Sequence, residues 1–338
     1  MFIETSCPTR IDLAGGTLDI YPLYLFMEGG ITVNMAIDLL SWVRIQTRED
    51  AEIHLVSEDT SAELRVPNLE ALPVDQELSL VARAVKFYGP QTGIDVTTRC
   101  NAPHGSGLGQ SSSLLIALIG ALRELNQLEL TNDRIIDNAA NLEAQIIRIP
   151  TGKQDYYAAM YGGINAIWFR VDRNEVEPLV MSEEVMHGIE QRVVLTFTGE
   201  SHFSGTSNWN MMKAYIDQVG TTVASLNTIK GTAERMREAL LGADFARFAE
   251  LLDEEWLNRR RLARGVTTPR INQLMAAAKK AGALSSKICG AGGGGCMITI
   301  VEPDRRPAVE QAISAAGAQL LPFSIARRGL TVMRDSER

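Results

Sequence analysis

Pro103-His104-Gly105-Ser106-Gly107-Leu108-Gly109-Gln110-Ser111-Ser112-Ser113 sits between two stretches of different period. Before it, Ile94–Arg99 alternates as a strand does. After it, Ser111–Leu128 is apolar on most faces, as a buried helix is. Three glycines let backbone N–H groups come close to an anion. The helix behind them offers free N–H groups and the positive end of its dipole. The serines can cap that helix or turn their hydroxyls to phosphate or Mg²⁺. Together these features make a triphosphate cradle. No Gly-Lys-Ser/Thr closes the loop, so it is not a Walker A loop. The plainer alternative is a serine cap after a tight turn, which a lone Gly-x-Gly would suggest.

Two other glycine clusters flank the cradle. Gly290, Gly292 and Gly295 in Lys287–Ile298 formally spell Gly-x-Gly-x-x-Gly. A dinucleotide fingerprint must lead from a strand into a helix. Here Cys296–Val301 reads as a strand, so the loop joins two strands and an oxidoreductase is disfavoured. Four consecutive glycines cost backbone entropy. Close approach to a ligand or another loop would offset that. Near the N-terminus, Pro8–Asp19 reads as a strand running into a Gly15-Gly16 turn with Arg10, Asp12 and Asp19 close by.

Around these clusters the chain reads as mixed helix and strand. Strands are predicted at 31–37, 41–47, 52–56, 163–169 and 192–198. Helices are predicted at 75–88, 132–148, 154–161, 207–218, 221–241, 243–263, 269–281 and near 304–316. A β–loop–β unit at 285–302 and closing strands at 318–324 and 329–333 complete it. Charged, aperiodic residues between 172 and 192 read as a seam. Arg259, Arg260 and Arg261 read as a solvated helix face. The stretch 198–209 reads either as a substrate-side loop carrying His202 or as a plain strand–helix connection.

The 338 residues suit about two domains. A net charge of −8 and the lack of a basic run argue against nucleic acid as a partner. No apolar run reaches the ~20 residues of a membrane span, and no signal peptide is expected. Four scattered cysteines form no Cys-x-x-Cys pair, so neither a disulfide framework nor a zinc site is expected. A cytoplasmic protein with reduced thiols follows as the expectation. The oligomeric state is left open, a homodimer included.

In order and spacing, the three glycine clusters resemble those of the GHMP kinases (galactokinase, homoserine kinase, mevalonate kinase and phosphomevalonate kinase). Gly152-Lys153-Gln154-Asp155-Tyr156-Tyr157-Ala158-Ala159, followed by Tyr161-Gly162-Gly163-Ile164-Asn165, is similar to the sugar kinases that include the D-glycero-D-manno-heptose phosphate kinases. The resemblance implies an α+β fold of two domains. An N-terminal α/β nucleotide-cradle domain would span residues 1–180 and a C-terminal ferredoxin-like domain residues 181–338. It implies transfer of the ATP γ-phosphoryl to a hydroxyl, anomeric or other, of a sugar or sugar phosphate, with Mg²⁺. A mevalonate-type kinase and an inactive sugar-binding regulator stand as alternatives.

By position, the resemblance makes Asp155 the catalytic carboxylate and Arg10 its cationic partner, expected to lower its pKa. Gly105, Ser106, Gly107, Leu108, Gly109, Gln110, Ser111 and Ser112 would bind the ATP phosphates, with Gln110 where Ser or Thr is commoner. Ser111 and Glu143 would hold Mg²⁺. Gly16, Asp19, His202, Gly292 and Gly293 would face the substrate. Lys153 and Lys287 are further candidate anion contacts.

Overall fold

The long strand β1 (Phe2–Ala14) runs antiparallel to β2 (Gly30–Thr47), with a four-residue helix α1 (Leu23–Phe26) between them. The register shifts between Pro8 and Thr9. Proline lacks the N–H that a ladder needs and is tolerated at such bulges. The computed structural model describes residues 1–149, 151–200 and 204–335, and of residues 204–207 the backbone only.

The chain continues through β3 (Ile53–Ser57), β4 (Ala62–Val66), α2 (Ser79–Tyr88) and β5 (Ile94–Cys100). β5 pairs antiparallel with β2 and parallel with β3. Next come α3 (Gln110–Leu125), α4 (Asn132–Ile147), α5 (Gln154–Tyr161), β6 (Ile164–Phe169) and β7 (Asn174–Pro178). Helix α3 is apolar nearly all round because α2, α4, α5 and the sheet all touch it. Its Leu115, Ile116, Leu118, Ile119 and Leu122 are fully buried in one core with Val43, Ile45 and Val96. That core fixes the start of α3, where the glycine loop ends.

The second half contains α6 (Glu183–Arg192), β8 (Val193–Phe197), α7 (Ser204–Ile216), α8 (Thr222–Leu241), α9 (Phe245–Arg259) and α10 (Pro269–Ala281). β9 (Ser285–Ile288), β10 (Cys296–Ile300), α11 (Arg306–Ala315), β11 (Gln319–Leu320) and β12 (Thr331–Asp335) follow. β8 to β11 form an antiparallel sheet in the order β11-β8-β10-β9. Helices link its first strand to its second and its third to its fourth. That is the ferredoxin-like arrangement of two interleaved β-α-β units. The expected α+β class holds.

Three details differ from the sequence reading. Residues 172–192 are not an aperiodic seam: β7 adds to the first sheet through β6, and α6 is capped by Ser182. In the closing segment only Gln319–Leu320 pair with β8. β12 then returns to the first sheet and pairs with β1, so the last strand of the second half lies in the sheet of the first. Periodicity marks a strand but does not name its partner. Among the described residues, no helix is long and apolar enough to cross a membrane.

Candidate active site

Gly105, Gly107 and Gly109 have φ of 67°, 71° and 74°, the left-handed region that glycine alone enters freely. A Cβ on Gly109 would stand 2.9 Å from the Asp155 carboxylate, so only glycine lets the loop lie on α5. The second half of the chain holds the loop from behind. Cys296 N donates to Ser106 O at 2.7 Å, and a Cβ on Gly107 would stand 2.8 Å from Cys289 O. From β1, Arg10 N donates to Leu108 O at 3.0 Å and an Arg10 guanidinium N–H donates to Gly107 O at 2.6 Å. The loop opens on a cavity of about 660 Å³ lined by Gly105, Ser106, Gly107, Gly109, Gln110, Ser111 and Ser112. Leu108 can offer only its backbone to a phosphate. Its side chain is fully buried in the core that joins the two sheets, and it anchors the loop instead. Gln110 Nε2 reaches Asp59 at 3.4 Å.

Where α3 begins, three hydroxyls converge on the carboxylate of Glu143 from α4. Ser111 Oγ donates to Oε1 at 2.5 Å, Ser112 Oγ donates to Oε2 at 3.2 Å, and Tyr156 OH also donates to Oε2. Burial pushes the Glu143 pKa up. The Ser111 and Tyr156 hydrogen bonds oppose that shift without cancelling it.

Arg10 Nε donates to Asp155 Oδ1 at 2.7 Å, and a second guanidinium nitrogen lies 2.6 Å from the same oxygen. Burial disfavours the Arg10 charge, but Asp155 and Asp12 outweigh it and the guanidinium stays firmly protonated. Asp155 itself is raised above its ordinary range. Burial outweighs the Arg10 charge, and Asp12 adds a like charge nearby. Arg10 does lower the Asp155 pKa, as expected, but burial outweighs it and the net shift is upward.

The far end of the cavity is walled by Gly16, Thr17, Asp19, Gly152, Gln154 and Asn208. Asp19 is almost wholly buried and accepts from Gln154 N at 3.0 Å. Burial lifts its pKa from 3.8 to about 6. A Cβ on Gly152 would collide with the Asp19 carboxylate, so that glycine admits the acid to the wall. Arg10, Asp19, Asp155, Ser111 and Glu143 thus border one cavity.

A family model described as the GHMP kinases N terminal domain matches residues 78–163, which include the cradle, Glu143 and Asp155. A second, GHMP kinases C terminal, matches residues 236–319. The chain belongs to the GHMP kinases. It is a phosphotransferase that uses ATP as donor and a hydroxyl group as acceptor. It is 30% identical over 338 residues to a D-glycero-alpha-D-manno-heptose 7-phosphate kinase of Campylobacter jejuni, covering 98% of this chain and 99% of that one. A crystal structure of a D-glycero-D-manno-heptose 1-phosphate kinase from Bacteroides thetaiotaomicron superposes with a TM-score of 0.81 at 27% identity, covering 99% of this chain and 100% of that one. A mevalonate kinase of Thermococcus sibiricus is 27% identical, with 98% of each chain covered.

In this GHMP kinase several expected contacts fall elsewhere. Gly292 and Gly293 do not line the cavity; they abut Val266, and Gly293 N donates to its carbonyl at 2.8 Å. Gly290 and Ala291 of the same loop line it instead. His202 lies outside the described residues. Lys153 pairs with Asp137 at 2.7 Å. Lys287 and Arg259, expected as an anion contact and part of a solvated face, are both fully buried. Lys287 Nζ bonds Asp12 Oδ2 at 2.8 Å, and Arg259 pairs with Glu255 at 2.6 Å. Glu255 and Arg259 are four apart on α9 and so share a face. That spacing was visible in the sequence, but the sequence does not say which face is buried. The reading also missed Thr17, Gly152, Gln154 and Asn208 as wall residues and Tyr156 as the third hydroxyl on Glu143. Only the adjacency of Gln154 and Tyr156 to Asp155 pointed to them.

Proposed function

We propose that this GHMP kinase phosphorylates a hydroxyl of a sugar phosphate of the heptose phosphate class, using Mg²⁺-ATP. The carrying observation is the meeting of the Arg10–Asp155 pair, the Ser111–Glu143 pair and Asp19 around one cavity. The heptose phosphate kinases named above support the substrate class. Among the described lining residues Arg10 is the only Arg or Lys, and the far wall otherwise offers Asp19 and neutral polar groups. That wall offers hydrogen-bond partners to sugar hydroxyls.

The residues present fit Mg²⁺. Ser111 Oγ and the Glu143 carboxylate are hard oxygen donors already within 2.5 Å of each other. Held by Ser111 and Glu143, the ion would supply positive charge to offset that of the nucleotide phosphates. Tyr156 and Ser112 keep the Glu143 carboxylate turned toward Ser111. The backbone of Gly105–Gly109 and the N-terminus of α3 receive the phosphates. Asp19 accepts hydrogen bonds from acceptor hydroxyls and orients the sugar. Asp155 takes the proton of the attacking hydroxyl; its raised pKa brings it nearer the operating pH, which favours a general base. Arg10 pairs with Asp155 Oδ1 and stabilises charge gathering on the transferred group. In this reading residues 1–180 form the cradle unit and 181–338 the supporting unit, and the enzyme serves carbohydrate metabolism in the cytoplasm. Its four cysteines, all free and buried, agree with that setting.

The test is ADP release with Mg²⁺-ATP over heptose phosphates, hexose phosphates, free sugars and mevalonate. Saturable turnover on a heptose phosphate is expected. Turnover on mevalonate alone would overturn the substrate class.

A further inference from the structure

Thr17 has φ of 78°, a left-handed conformation that a β-branched residue enters only under constraint. It lines the cavity between Gly16 and Asp19. The turn is closed by Leu18 N donating to Gly15 O at 3.1 Å, and a side chain more than 240 positions away in sequence holds it from outside. The Arg259 guanidinium donates to Gly16 O at 2.8 Å and reaches Thr17 Oγ1 and Gly290 O at 3.4 Å each. Gly16, Thr17 and Gly290 all border the cavity. Arg259 is itself held from below: Nε and a terminal nitrogen donate to Glu255 Oε1 at 2.8 and 2.6 Å. Burial alone would disfavour its charge, but Glu255 and Asp12 keep it protonated.

We propose that Arg259 is a positioning residue for the acceptor. From the second half of the chain it clamps the Gly16–Thr17 turn into its strained form, and so sets Asp19 and the acceptor hydroxyl against Asp155. A planar guanidinium serves three acceptors at fixed angles; an ammonium on a flexible stem does not. The nucleotide end is lined mainly by other elements, α2, β5 and the Gly105–Gly109 loop, and the clamp approaches it through its long 3.4 Å contact to Gly290, which lies against Gly107. The proposal rests on the sugar-kinase reading of the far wall.

The experiment compares Arg259→Lys with the wild type in ADP release, varying sugar phosphate and ATP separately, with ATP affinity measured by calorimetry. Misplacing a reacting group by about 1 Å costs up to ~10²-fold. The expected result is a rise of about tenfold or more in the sugar KM, with ATP affinity and ATP KM within about twofold of wild type. Glu255→Gln keeps Arg259 and its size while loosening its anchor. It is expected to shift the sugar KM in the same direction by a smaller factor, and it carries the test if the lysine variant does not fold. Unchanged sugar KM, or equal losses for both substrates, would overturn the clamp. Lack of turnover by the wild type on any sugar phosphate would instead overturn the substrate class, so the two failures are separate.

Discussion

Arg10 and Asp12 stand two apart on β1 and so face the same side of the strand, yet they anchor two different charge clusters. Asp155, beside Arg10, and Asp12 are both buried carboxylates. Their pKa values move in opposite directions. Asp12 is surrounded by Lys287, Arg259 and Arg10, which outweigh its burial and hold it below the ordinary range. Asp155 has Arg10 alone and feels Asp12 as a like charge, so burial wins and its pKa rises. The number of cations within reach, rather than burial, decides which carboxylate is structural and which is free to accept a proton. The second cluster is closed: Lys287 Nζ bonds both Asp12 O and Asp12 Oδ2 at 2.8 Å with no exposed atoms. The first opens on the cavity.

The largest expected effect breaks the open side of the comparison. Asp155→Asn removes the proton acceptor while keeping its shape, and kcat falls by ~10²–10⁴. The acid limb of the kcat profile, where activity is lost as pH falls through the raised Asp155 pKa, disappears with it. Steady-state ADP release checks both, and near-wild-type turnover would remove Asp155 from the base role.

Asp12→Asn breaks the closed side. It strands Lys287 in the interior, and losing one partner of a buried pair costs about 3–5 kcal/mol. Urea unfolding is expected to show that loss, larger than the one in Asp155→Asn. The sign in the wild type follows. Asp12 has a lowered native pKa, so its contribution is present above the ordinary aspartate range and is lost as pH falls through the native value. A loss no larger in Asp12→Asn than in Asp155→Asn would erase the distinction between the clusters.

Asp19 offers an intermediate case. Its native pKa of about 6 exceeds its ordinary 3.8, so its charge destabilises the fold above pH 6. That cost declines as pH falls from 6 to 4 and is absent below 4. At ~1.4 kcal/mol per pH unit the cost is up to about 3 kcal/mol. Asp19→Asn keeps the acceptor for Gln154 N. It is expected to raise the thermal midpoint at pH 7.5 but not at pH 4, while weakening sugar binding. A variant no more stable at pH 7.5 would contradict the burial cost. The smallest effect is expected from Tyr156→Phe, which removes one hydroxyl from a buried carboxylate. A hydrogen bond to a charged group contributes about 1.5–3 kcal/mol. Activity at limiting Mg²⁺ is expected to fall more than at saturating Mg²⁺. Equal losses at both would place Tyr156 outside the ion's support.

Local chemistry made much of this enzyme legible from its residues in order. Gly105, Gly107 and Gly109 before an apolar helix pointed to a tight glycine loop at a helix start, because glycine placement and helix period are properties of short stretches. The same holds for α5, whose sequence reading, 154–161, matches its ends. Asp155, Arg10, Glu143 and Asp19 came from the resemblance to the GHMP kinases, and the fold brings them to one cavity. Only the tertiary structure decided what lies between distant segments. Which sheet β12 joins depends on an open edge of β1. Which face of α9 is buried depends on whether Asp12 and the Gly16 carbonyl wait there to receive Arg259. Whether Asp155 is raised or lowered depends on how Arg10, Asp12 and burial balance in a dry interior. Those outcomes rest on through-space distances and desolvation, which the linear order of residues does not encode.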